Sequence, residues 1–571
     1  MQKVKVENRG VYGMVRSNNN YQGNRNYRSK KDYQETSGYS SNYQSSRSYK
    51  GNNAQQNNDV QQNGNAEQSN NAYRSNNTQQ GHNNMHQRNK TKQSNNTQQG
   101  SKKNQNNKPY EGYQQRKSKN CPDNIHYFGK GYRFERNGWI YIHIEGEPYK
   151  RGFQHGFLLA KEIKEIMDNL KFLTYWNTGK EWSFFVKEAE RQFTNRLDIE
   201  YLYEIKGIAD GAYKAGVQVT WQEILAWNGY GELIDFWWPY RNNGVVGSNL
   251  ARAKGRCSAF IATGSATKNK KILLAHNTWE NFETGQYLNI IIDIVPKRGN
   301  RILMQTAPGY IDSFSDFFVT GSGLLGADTS IAGFMKYNPN GIPQFVRIRK
   351  AIQYADDMTG FVDIMKERSN GGYTSMWLLG DIKTNKILRF EQGLEYYNVK
   401  TLEDGYFIGF NAPEDPRIRN LEVENSCYTD IRDHQGARRV RLTQLLEHQL
   451  GKLDIEAAKD ILADHYDVYL NQRIPSSRTI DGHYELDDQK YPSLAGSPPP
   501  FSPQGTLDGK IIDSDLAKMM AFCARWGNSS GMPFITHDYF ANHPQWNHLK
   551  GHLKDRFTEK WSKFRVGEGG C

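Results

Sequence analysis

The first 120 residues of the chain contain no leucine, isoleucine, phenylalanine or tryptophan, and the first isoleucine is Ile125. The segment is built largely from Asn, Gln, Ser, Gly, Lys and Arg, with ten scattered tyrosines. Ordering one residue costs about 1–2 kcal/mol of backbone entropy, and a segment without large apolar side chains buries little area to offset that cost. We therefore expect residues 1–120 to form a disordered tail, and residues 121–571 to form the globular part.

The net charge of +13 belongs to this tail. Residues 1–120 carry 20 basic and 6 acidic side chains, whereas the rest of the chain carries 54 basic and 55 acidic ones. Basic residues interleaved with tyrosine, as in NRNYRSKKDYQ, suit loose contact with RNA or with an anionic membrane surface. Segments rich in Asn and Gln are also found simply solvated or self-associating, so the role of the tail stays open.

The sequence shows no recognisable signal peptide and no apolar run long enough to span a bilayer, so the compartment is undecided. Its five cysteines are widely spaced, odd in number and free of any C-x-x-C pair, which argues against a disulfide scaffold or a zinc site. They are Cys121, Cys257, Cys427, Cys523 and Cys571. We predict free thiols, no metal site and no cofactor, and the sequence does not indicate the number of subunits.

From about residue 121 the chain shows the periodicity of helices and strands. Residues 121–256 predict a strand followed by helices, one of them capped by Thr220 with Glu223 three residues later. Residues 257–571 begin with short apolar runs typical of strands covered on both faces, such as CSAFIAT, KILLAHNTW and YLNIIIDIVP. Helical patterns follow, with a further hairpin between them. Helices outside and two sheets between them predict an α/β fold, a four-layer αββα sandwich.

Cys257 stands at the head of the strand CSAFIAT, and the hairpin partner LLAHNTW brings His276 back beside it. Such a cysteine is either a reactive nucleophile or a buried structural residue. Cleavage of the Arg256–Cys257 bond would free an α-amino group of pKa about 7.7–8.0 beside a thiol of pKa about 8.5. One residue would then supply both base and nucleophile. In the alternative, an uncut chain uses His276 to deprotonate Cys257.

Five segments, in this order, resemble the phospholipase B-like family, close to the acyl-CoA:isopenicillin N acyltransferase-type hydrolases of the N-terminal nucleophile superfamily. They are the Cys257 strand, LLAHNTW, SNGGYTSMWLLGDIKTNKI, DIRDHQGARRVRLTQLL and DGKIIDSDLAKMMAFCARWGNSSGMPF. The resemblance covers roughly residues 122–565. It implies the αββα fold, self-cleavage before Cys257, attack of the new N-terminal cysteine on an acyl carbonyl, and a phospholipid or other acyl substrate.

The resemblance also implies roles for residues near the nucleophile. His276 and Trp279 match the family's His and Trp, the first to orient the amine or bind a head group and the second to wall the pocket. Asn277 fits the neighbouring catalytic position. Thr329, in GADTSIAG, looks like the family's Thr on the next hairpin, where it would contact the oxyanion or the substrate.

Three further residues are less directly matched. Asn370 and Thr374 lie where relatives place a catalytic Asn, although SNGGYTSMW departs from the lysosomal pattern of the family. Arg432, in DIRDH, is either an anion-binding residue or a salt-bridged helix residue. The long basic tail is also foreign to the family, and the signal peptide and disulfides of its secreted and lysosomal members do not occur here.

Two other motifs point away from nucleotide and sugar chemistry. GSGLLG, Gly321 to Gly326, matches a dinucleotide-binding pattern, but a strand-like segment follows it and predicts a β-hairpin. Asp487 and Asp488 predict a solvated loop rather than a glycosidase pair.

Three function hypotheses from different classes follow from the sequence. The first is an ester hydrolase acting on phospholipids. The second is an amidase or acyltransferase acting on N-acyl amines or small peptides, because this fold attacks both bond types. The third is an RNA- or membrane-surface-binding protein that acts through its tail on an inactive hydrolase scaffold.

Overall fold

The computed structural model describes residues 124–241, 257–314, 317–492 and 498–570. The basic tail, Cys121, Arg256 and Cys571 lie outside the described residues, so the predictions made for them stay predictions. The strands are β1 (His126–Phe128), β2 (Gly131–Arg136), β3 (Trp139–Gly146), β4 (Ser258–Thr263), β5 (Leu273–Asn281), β6 (Ile290–Pro296), β7 (Ile302–Thr306), β8 (Phe318–Thr320), β9 (Leu324–Ser330), β10 (Ser375–Asp381), β11 (Lys386–Gln392), β12 (Tyr397–Leu402), β13 (Gly405–Gly409), β14 (Tyr466–Asp467), β15 (Gln472–Arg473), β16 (Gln504–Asp513), β17 (Ala521–Trp526) and β18 (Ser562–Arg565).

The described residues form fourteen α-helices, and a π-helical turn, Glu232–Trp237, directly precedes the sixth of them. They are α1 (Pro148–Leu158), α2 (Ala160–Thr178), α3 (Trp182–Phe193), α4 (Ile199–Lys214), α5 (Trp221–Asn228), α6 (Trp238–Arg241), α7 (Phe282–Gly285), α8 (Gln344–Tyr354), α9 (Met358–Lys366), α10 (Pro416–Leu421), α11 (His434–His448), α12 (Ile455–Leu462), α13 (Ser514–Lys518) and α14 (Thr536–Asn542). None of the described helices is both long and apolar enough to cross a membrane.

Two large sheets form the centre of the described structure. The ten-stranded sheet has the order β1-β2-β3-β6-β7-β8-β9-β10-β11-β12, and within it β3 and β6 run parallel while the other described neighbours are antiparallel. The six-stranded sheet has the order β13-β4-β5-β16-β17-β18 and is antiparallel throughout its described pairs. Because the parallel pair needs a crossover, the long segment between β3 and β6 has room for helices and for the β4–β5 hairpin.

The alternation of side chains along β4 and β5 assigns the two faces of the six-stranded sheet. Ala259, Ile261 and Leu274 belong to the core shared with the ten-stranded sheet. Phe260 and Ala275 belong to a separate apolar cluster with residues of α11 and α12. On the far side of the ten-stranded sheet, α1, α8 and α9 contact its strands. The described residues therefore form the predicted αββα arrangement of layers.

Several local predictions are confirmed. The Thr220 hydroxyl accepts from the Glu223 amide, and the Glu223 carboxylate accepts from the Thr220 amide, which completes a capping box at the start of α5. The segment Gly321–Gly326 contains the turn of the β8–β9 hairpin and the first residues of β9. In the described part of the chain, no disulfide joins Cys257, Cys427 and Cys523 to one another.

Two expectations need correction. The N-terminal part contributes three strands rather than one, because the alternating Tyr, Phe and Arg side chains of β1 and β2 form an edge hairpin on β3. Asp487 is buried rather than solvated: its carboxylate accepts from the Ser477 amide and hydroxyl at 3.0 and 2.7 Å. Arg478 lies 3.3 Å from the same carboxylate and compensates its charge.

Candidate functional site

Cys257 immediately precedes β4 and is 2% exposed. Its φ of 93° lies in the positive region that residues with a Cβ rarely adopt, and such conformations persist where the surrounding structure holds them. Burial raises the pKa of its thiol well above the ordinary value, and the Asp328 carboxylate raises it further. A hydrogen bond from the Trp279 backbone and the charge of Lys510 act in the opposite direction. The thiol therefore needs a base before it can react.

His276 lies on the same face of the hairpin as Cys257, because it pairs with Ala259, two residues further along β4. Its Nε2 is 2.9 Å from the Asp328 carbonyl oxygen, and its Nδ1 is buried without a hydrogen-bond partner in the part of the chain that the structure describes. Burial, and then the charge of Lys510, lowers the pKa of His276 well below its ordinary value. The imidazole is therefore neutral at physiological pH. Among the described residues, no hydrogen bond joins either ring nitrogen to the Cys257 thiol.

A buried lysine lies next to His276. Lys510 of β16 pairs with His276 across the sheet, and its Nζ donates to the Thr278 hydroxyl and to the Asp508 carboxylate. All four side chains are less than 3% exposed. Lys510 and Asp508 therefore form a buried ion pair beside His276, and Thr278 helps to hold the ammonium group in position.

Arg438 of α11 clamps the backbone at Cys257. Its guanidinium, which is fully buried, donates to the Cys257 carbonyl oxygen and, at 3.0 Å, to the Ser258 hydroxyl. A further amino group of the guanidinium contacts Asn411 Oδ1 and His434 Nδ1, each at 2.6 Å. Burial lowers the pKa of Arg438 to about 10, so the group stays charged at neutral pH. The arrangement holds the start of β4 against the outer helical layer.

The ring of Trp279 packs against this guanidinium. The Arg438 Cζ lies 4.1 Å from the centroid of the Trp279 ring, a cation–π contact. The backbone of Gly482 packs directly against the indole, because a Cβ at that position would lie only 2.2 Å from the ring. Trp279 is 2% exposed, so in this structure it is a packed wall behind Cys257.

Asn277 faces away from Cys257 because it is adjacent to His276 in the strand. Its Nδ2 donates to the carbonyl oxygens of Leu462 and Ile480 at 2.8 and 3.1 Å, and its Oδ1 accepts from the Ser529 hydroxyl at 2.6 Å. These bonds use all of its amide hydrogens. Its visible role is to fasten β5 to the outer layer.

Thr329 lies on β9, in the sheet opposite Cys257. Its Oγ1 is buried and has no hydrogen-bond partner among the described residues. The side chain points at β13 of the facing sheet, since a Cβ at Gly409 would lie 2.6 Å from Thr329 Cγ2. A hydroxyl that is oriented between the sheets and not engaged is available as a donor.

Asn370 belongs to a different cluster. Its Nδ2 donates to Glu232 Oε2, and its Oδ1 accepts from the Gly372 amide at 2.9 Å. Burial raises the pKa of Glu232 to about 7, although the bond from Asn370 opposes this shift. Thr374 is also used locally, because its hydroxyl donates to the Gly371 carbonyl at 2.8 Å. No hydrogen bond in the described structure connects Asn370 or Thr374 to Cys257.

Arg432 is half exposed and forms a bidentate ion pair with Asp430, at 2.9 and 2.7 Å. This bond raises the pKa of the guanidinium. The contact matches the alternative of a salt-bridged residue, just before α11, rather than an unengaged anion-binding group. The second member of the predicted cleavage site, Arg256, lies outside the described residues.

The sequence reasoning missed Arg438, Asn411 and Lys510. Arg438 stands six residues after Arg432 in the segment DIRDHQGAR. Its i, i+4, i+8 spacing with Leu442 and Leu446 indicates the buried face of α11. Lys510 sits inside the apolar strand DGKIID, where a single charged residue indicates a buried ion pair. The sequence thus indicated that Arg438 and Lys510 are buried, but it did not indicate which residues they contact.

One group of described residues has the atoms and spacing to hold a metal ion, although the sequence predicted none. His465, Asp481 and His483 each offer one nitrogen or oxygen atom, and these atoms lie within 4.8 Å of one another. The group lies in the loops behind Trp279, outside the cluster around Cys257.

Comparison with known proteins adds a family. The model of the phospholipase B family matches residues 185–558, a range that contains Cys257, His276 and Arg438. The chain is 26% identical over 449 residues to phospholipase-B 81 of Drysdalia coronoides, covering 69% of this chain and 78% of that protein. It is 32% identical over 320 residues to the human putative phospholipase B-like 2, covering 48% of this chain and 53% of that protein.

A third relative is an uncharacterized protein of Archaeoglobus fulgidus, 27% identical over 255 residues, which are 43% of this chain and 42% of that protein. The chain thus spans about half the length of two of these three relatives.

Proposed function

This chain belongs to the phospholipase B family, and from that membership we propose that it is an acyl hydrolase that cleaves ester bonds of phospholipids with Cys257 as its nucleophile. The observation that carries the proposal is the setting of Cys257. Its thiol is enclosed between two sheets beside Lys510 and a neutral His276, while Arg438 holds its backbone. A structural cysteine requires none of these polar groups.

The base in this proposal is the α-amino group of Cys257, after the Arg256–Cys257 bond has been cut. The absence of a hydrogen bond between His276 and the thiol in the described residues supports this choice over a Cys–His dyad. In the cutting step, Sγ attacks the Arg256 carbonyl carbon, the C–N bond breaks, and the α-nitrogen takes up a proton. Water then hydrolyses the resulting thioester and leaves Cys257 with a free amine.

Hydrolysis of the substrate would use the same groups twice. The amine takes the thiol proton, the thiolate attacks the acyl carbonyl, and the alcohol leaves with the proton that the amine returns. Water attacks the acyl-thioester in the second half and regenerates the thiol. The free hydroxyl of Thr329 and the ammonium of Lys510 are the described groups best suited to stabilise the oxyanion.

Arg438 acts as a positioning residue in this mechanism. Its bonds to the Cys257 carbonyl and to Asn411 Oδ1 fix the nucleophile's backbone. A nucleophile displaced by about 1 Å can lose on the order of 100-fold in rate, so this support bears directly on turnover.

The test is hydrolysis of phospholipids and lysophospholipids, with N-acyl amines in the same panel, by wild-type protein and by Cys257→Ala. We expect Cys257→Ala to lose hydrolysis, while the half-buried Cys523→Ala, the matched control, stays within a few-fold of wild type. Turnover by Cys257→Ala above background would remove the assignment of the nucleophile. A wild type that hydrolyses N-acyl amines but no phospholipid would overturn the ester assignment and leave the nucleophile intact.

A further inference from the structure

His465, Asp481 and His483 form a compact group of polar side chains outside the Cys257 site, with Asp481 and His483 buried and His465 partly buried. His465 Nε2 is 3.3 Å from Asp481 Oδ2, and His483 Nε2 is 3.5 Å from the same oxygen. His465 follows α12, and the other two residues lie in the loop before β16. Three chain positions spaced by 16 and 2 residues thus converge on one point.

The spacing of these atoms is that of a chelating set. Zinc binds imidazole nitrogen and carboxylate oxygen at about 2.0–2.2 Å, so neighbouring ligand atoms of a tetrahedral site lie about 3.3–3.5 Å apart. The two distances to Asp481 Oδ2 match that edge. Hydrogen-bonded nitrogen and oxygen atoms would lie closer together, at about 2.7–3.2 Å.

Both histidine ligand nitrogens, and the second oxygen of Asp481, lack hydrogen-bond partners among the described residues. These atoms, His465 Nε2, His483 Nε2 and Asp481 Oδ1, are all buried. A buried polar atom without a partner costs about 1–3 kcal/mol, and a metal ion bound by the two Nε2 atoms would offset this cost at both histidines.

Neighbouring polar groups hold His483 and Asp481 in place by hydrogen bonds, as the groups around a metal site hold its ligands. His483 Nδ1 is 2.8 Å from Glu485 Oε1, so a carboxylate fixes the tautomer that leaves Nε2 free to coordinate. The Ser530 amide donates to Asp481 Oδ2 at 2.9 Å and holds the carboxylate in place. Together, Asp481 and Glu485 supply two negative charges against a divalent cation.

We propose that His465, Asp481 and His483 bind one divalent transition-metal ion of the zinc class, with a fourth position open to water or to the second oxygen of Asp481. Two imidazoles and one carboxylate suit zinc better than calcium or magnesium, which prefer all-oxygen sites.

The proposed ion has a structural consequence near Cys257. The Ile480 carbonyl, next to Asp481, accepts from the Ser258 hydroxyl at 3.2 Å and from Asn277 Nδ2 at 3.1 Å. Gly482, on the other side of Asp481, lies against Trp279. A bound ion would therefore fasten the loop behind Trp279 to the end of α12. This inference concerns binding and holds whether or not the chain hydrolyses phospholipids.

Metal binding is tested on the full chain after removal of metals with a chelator. We expect wild-type protein to take up about one equivalent of zinc by calorimetry and elemental analysis, and Co²⁺ to give the visible absorption of a tetrahedral site. The rival arrangement is a protonated His483 held between Asp481 and Glu485, which needs no metal. Absence of stoichiometric zinc and of the Co²⁺ absorption in wild type supports that rival and overturns the proposal.

Two variants and one control locate the ion. His465→Ala and Asp481→Asn should each weaken zinc binding by at least about 100-fold, since each removes a direct ligand. His537→Ala removes a histidine whose side chain is 90% exposed and should bind zinc like wild type. Equal zinc binding by all four proteins would exclude this site. If His465→Ala does not fold, Asp481→Asn and the wild-type Co²⁺ spectrum still decide between the alternatives.

Discussion

Arg438 of α11 donates a hydrogen bond to the backbone carbonyl oxygen of Cys257, although the two residues are 181 positions apart in the chain. The same guanidinium covers the ring of Trp279 on the neighbouring strand. An arginine in this position therefore joins the start of β4, β5 and the outer helical layer in one contact. The position of the nucleophile depends on a residue that makes no contact with its thiol among the described hydrogen bonds.

Arg438→Lys should reduce kcat much more than it changes KM. Lysine keeps the charge, but one ammonium group cannot reproduce the planar fork that reaches Cys257, Ser258 and Asn411 together. We expect kcat to fall by on the order of 100-fold, as for a displaced nucleophile. Steady-state kinetics with a phospholipid substrate measure the change.

The neighbouring Arg439 is the matched control for this substitution. Its guanidinium donates to the Tyr428 carbonyl and lies over the Tyr428 ring, away from Cys257. Arg439→Lys should leave kcat within a few-fold of wild type. Equal losses in both variants would mean that Arg438 contributes only to general stability of α11.

An active sample should contain a new N-terminus reading Cys-Ser-Ala-Phe. As long as the Arg256–Cys257 bond is intact, the α-nitrogen is an amide and cannot accept the thiol proton, so the precursor should be nearly inactive. N-terminal sequencing of fractions with and without activity gives the answer. Full activity from an uncut chain would instead make His276 the general base.

The stability of the protein should depend on pH through Glu232. Its pKa is raised by burial to about 7 from an ordinary 4.5, so between these values the folded state holds a proton that the unfolded chain releases. This contribution favours folding below pH 4.5 and is lost as the pH rises through 7. The glutamine of Glu232→Gln cannot ionise, so this variant should not lose stability in that way as the pH rises.

Denaturant unfolding at pH 5 and pH 8 measures this effect. As the pH rises from 5 to 8, the free energy of unfolding of wild type should fall by roughly 3 kcal/mol more than that of Glu232→Gln. The figure follows from the shift in the pKa of Glu232, at about 1.36 kcal/mol per pKa unit. Glu456→Gln, whose side chain is 77% exposed, should follow wild type across the range. Parallel curves for Glu232→Gln and wild type would show that the Glu232 carboxyl titrates normally.

A chain that starts at residue 121 should keep hydrolysis and lose affinity for polyanions. Residues 1–120 carry 20 basic and 6 acidic side chains, whereas the rest of the chain is close to neutral. For the full chain, binding to RNA or to anionic vesicles should weaken steeply with salt, because phosphate contacts release counterions. Binding assays at two salt concentrations check this. Retention of RNA or vesicles by the shortened chain would assign binding to the globular part.

Local sequence patterns were sufficient for the features that involve neighbouring residues. The capping box of Thr220 and Glu223 spans one helical turn, and the β4–β5 hairpin brings His276 beside Cys257 through a short connection. Their geometry follows from helix and strand periods, which depend on the chain nearby. The resemblance to phospholipase B-like proteins was drawn from such segments in order, and the match of the family model confirms it.

The tertiary structure decided which distant residues meet at the site. Lys510 faces His276 because β16 pairs with β5 in the register that sets these two residues opposite each other. That register shifts once, between Thr506 and Asp508. Asn370 was predicted from the sequence as a catalytic residue, but in the structure its side chain binds Glu232. The asparagine that contacts Arg438 is Asn411.

The composition of the sequence by itself predicted which part of the chain could form a core, and its periodicity predicted the strand that follows Cys257. It could not determine that His465 meets Asp481 and His483, or that Arg438 reaches Cys257. Those contacts depend on the register between strands and on how helices pack over the sheets, and both are set by the burial of the whole core rather than by any local pattern.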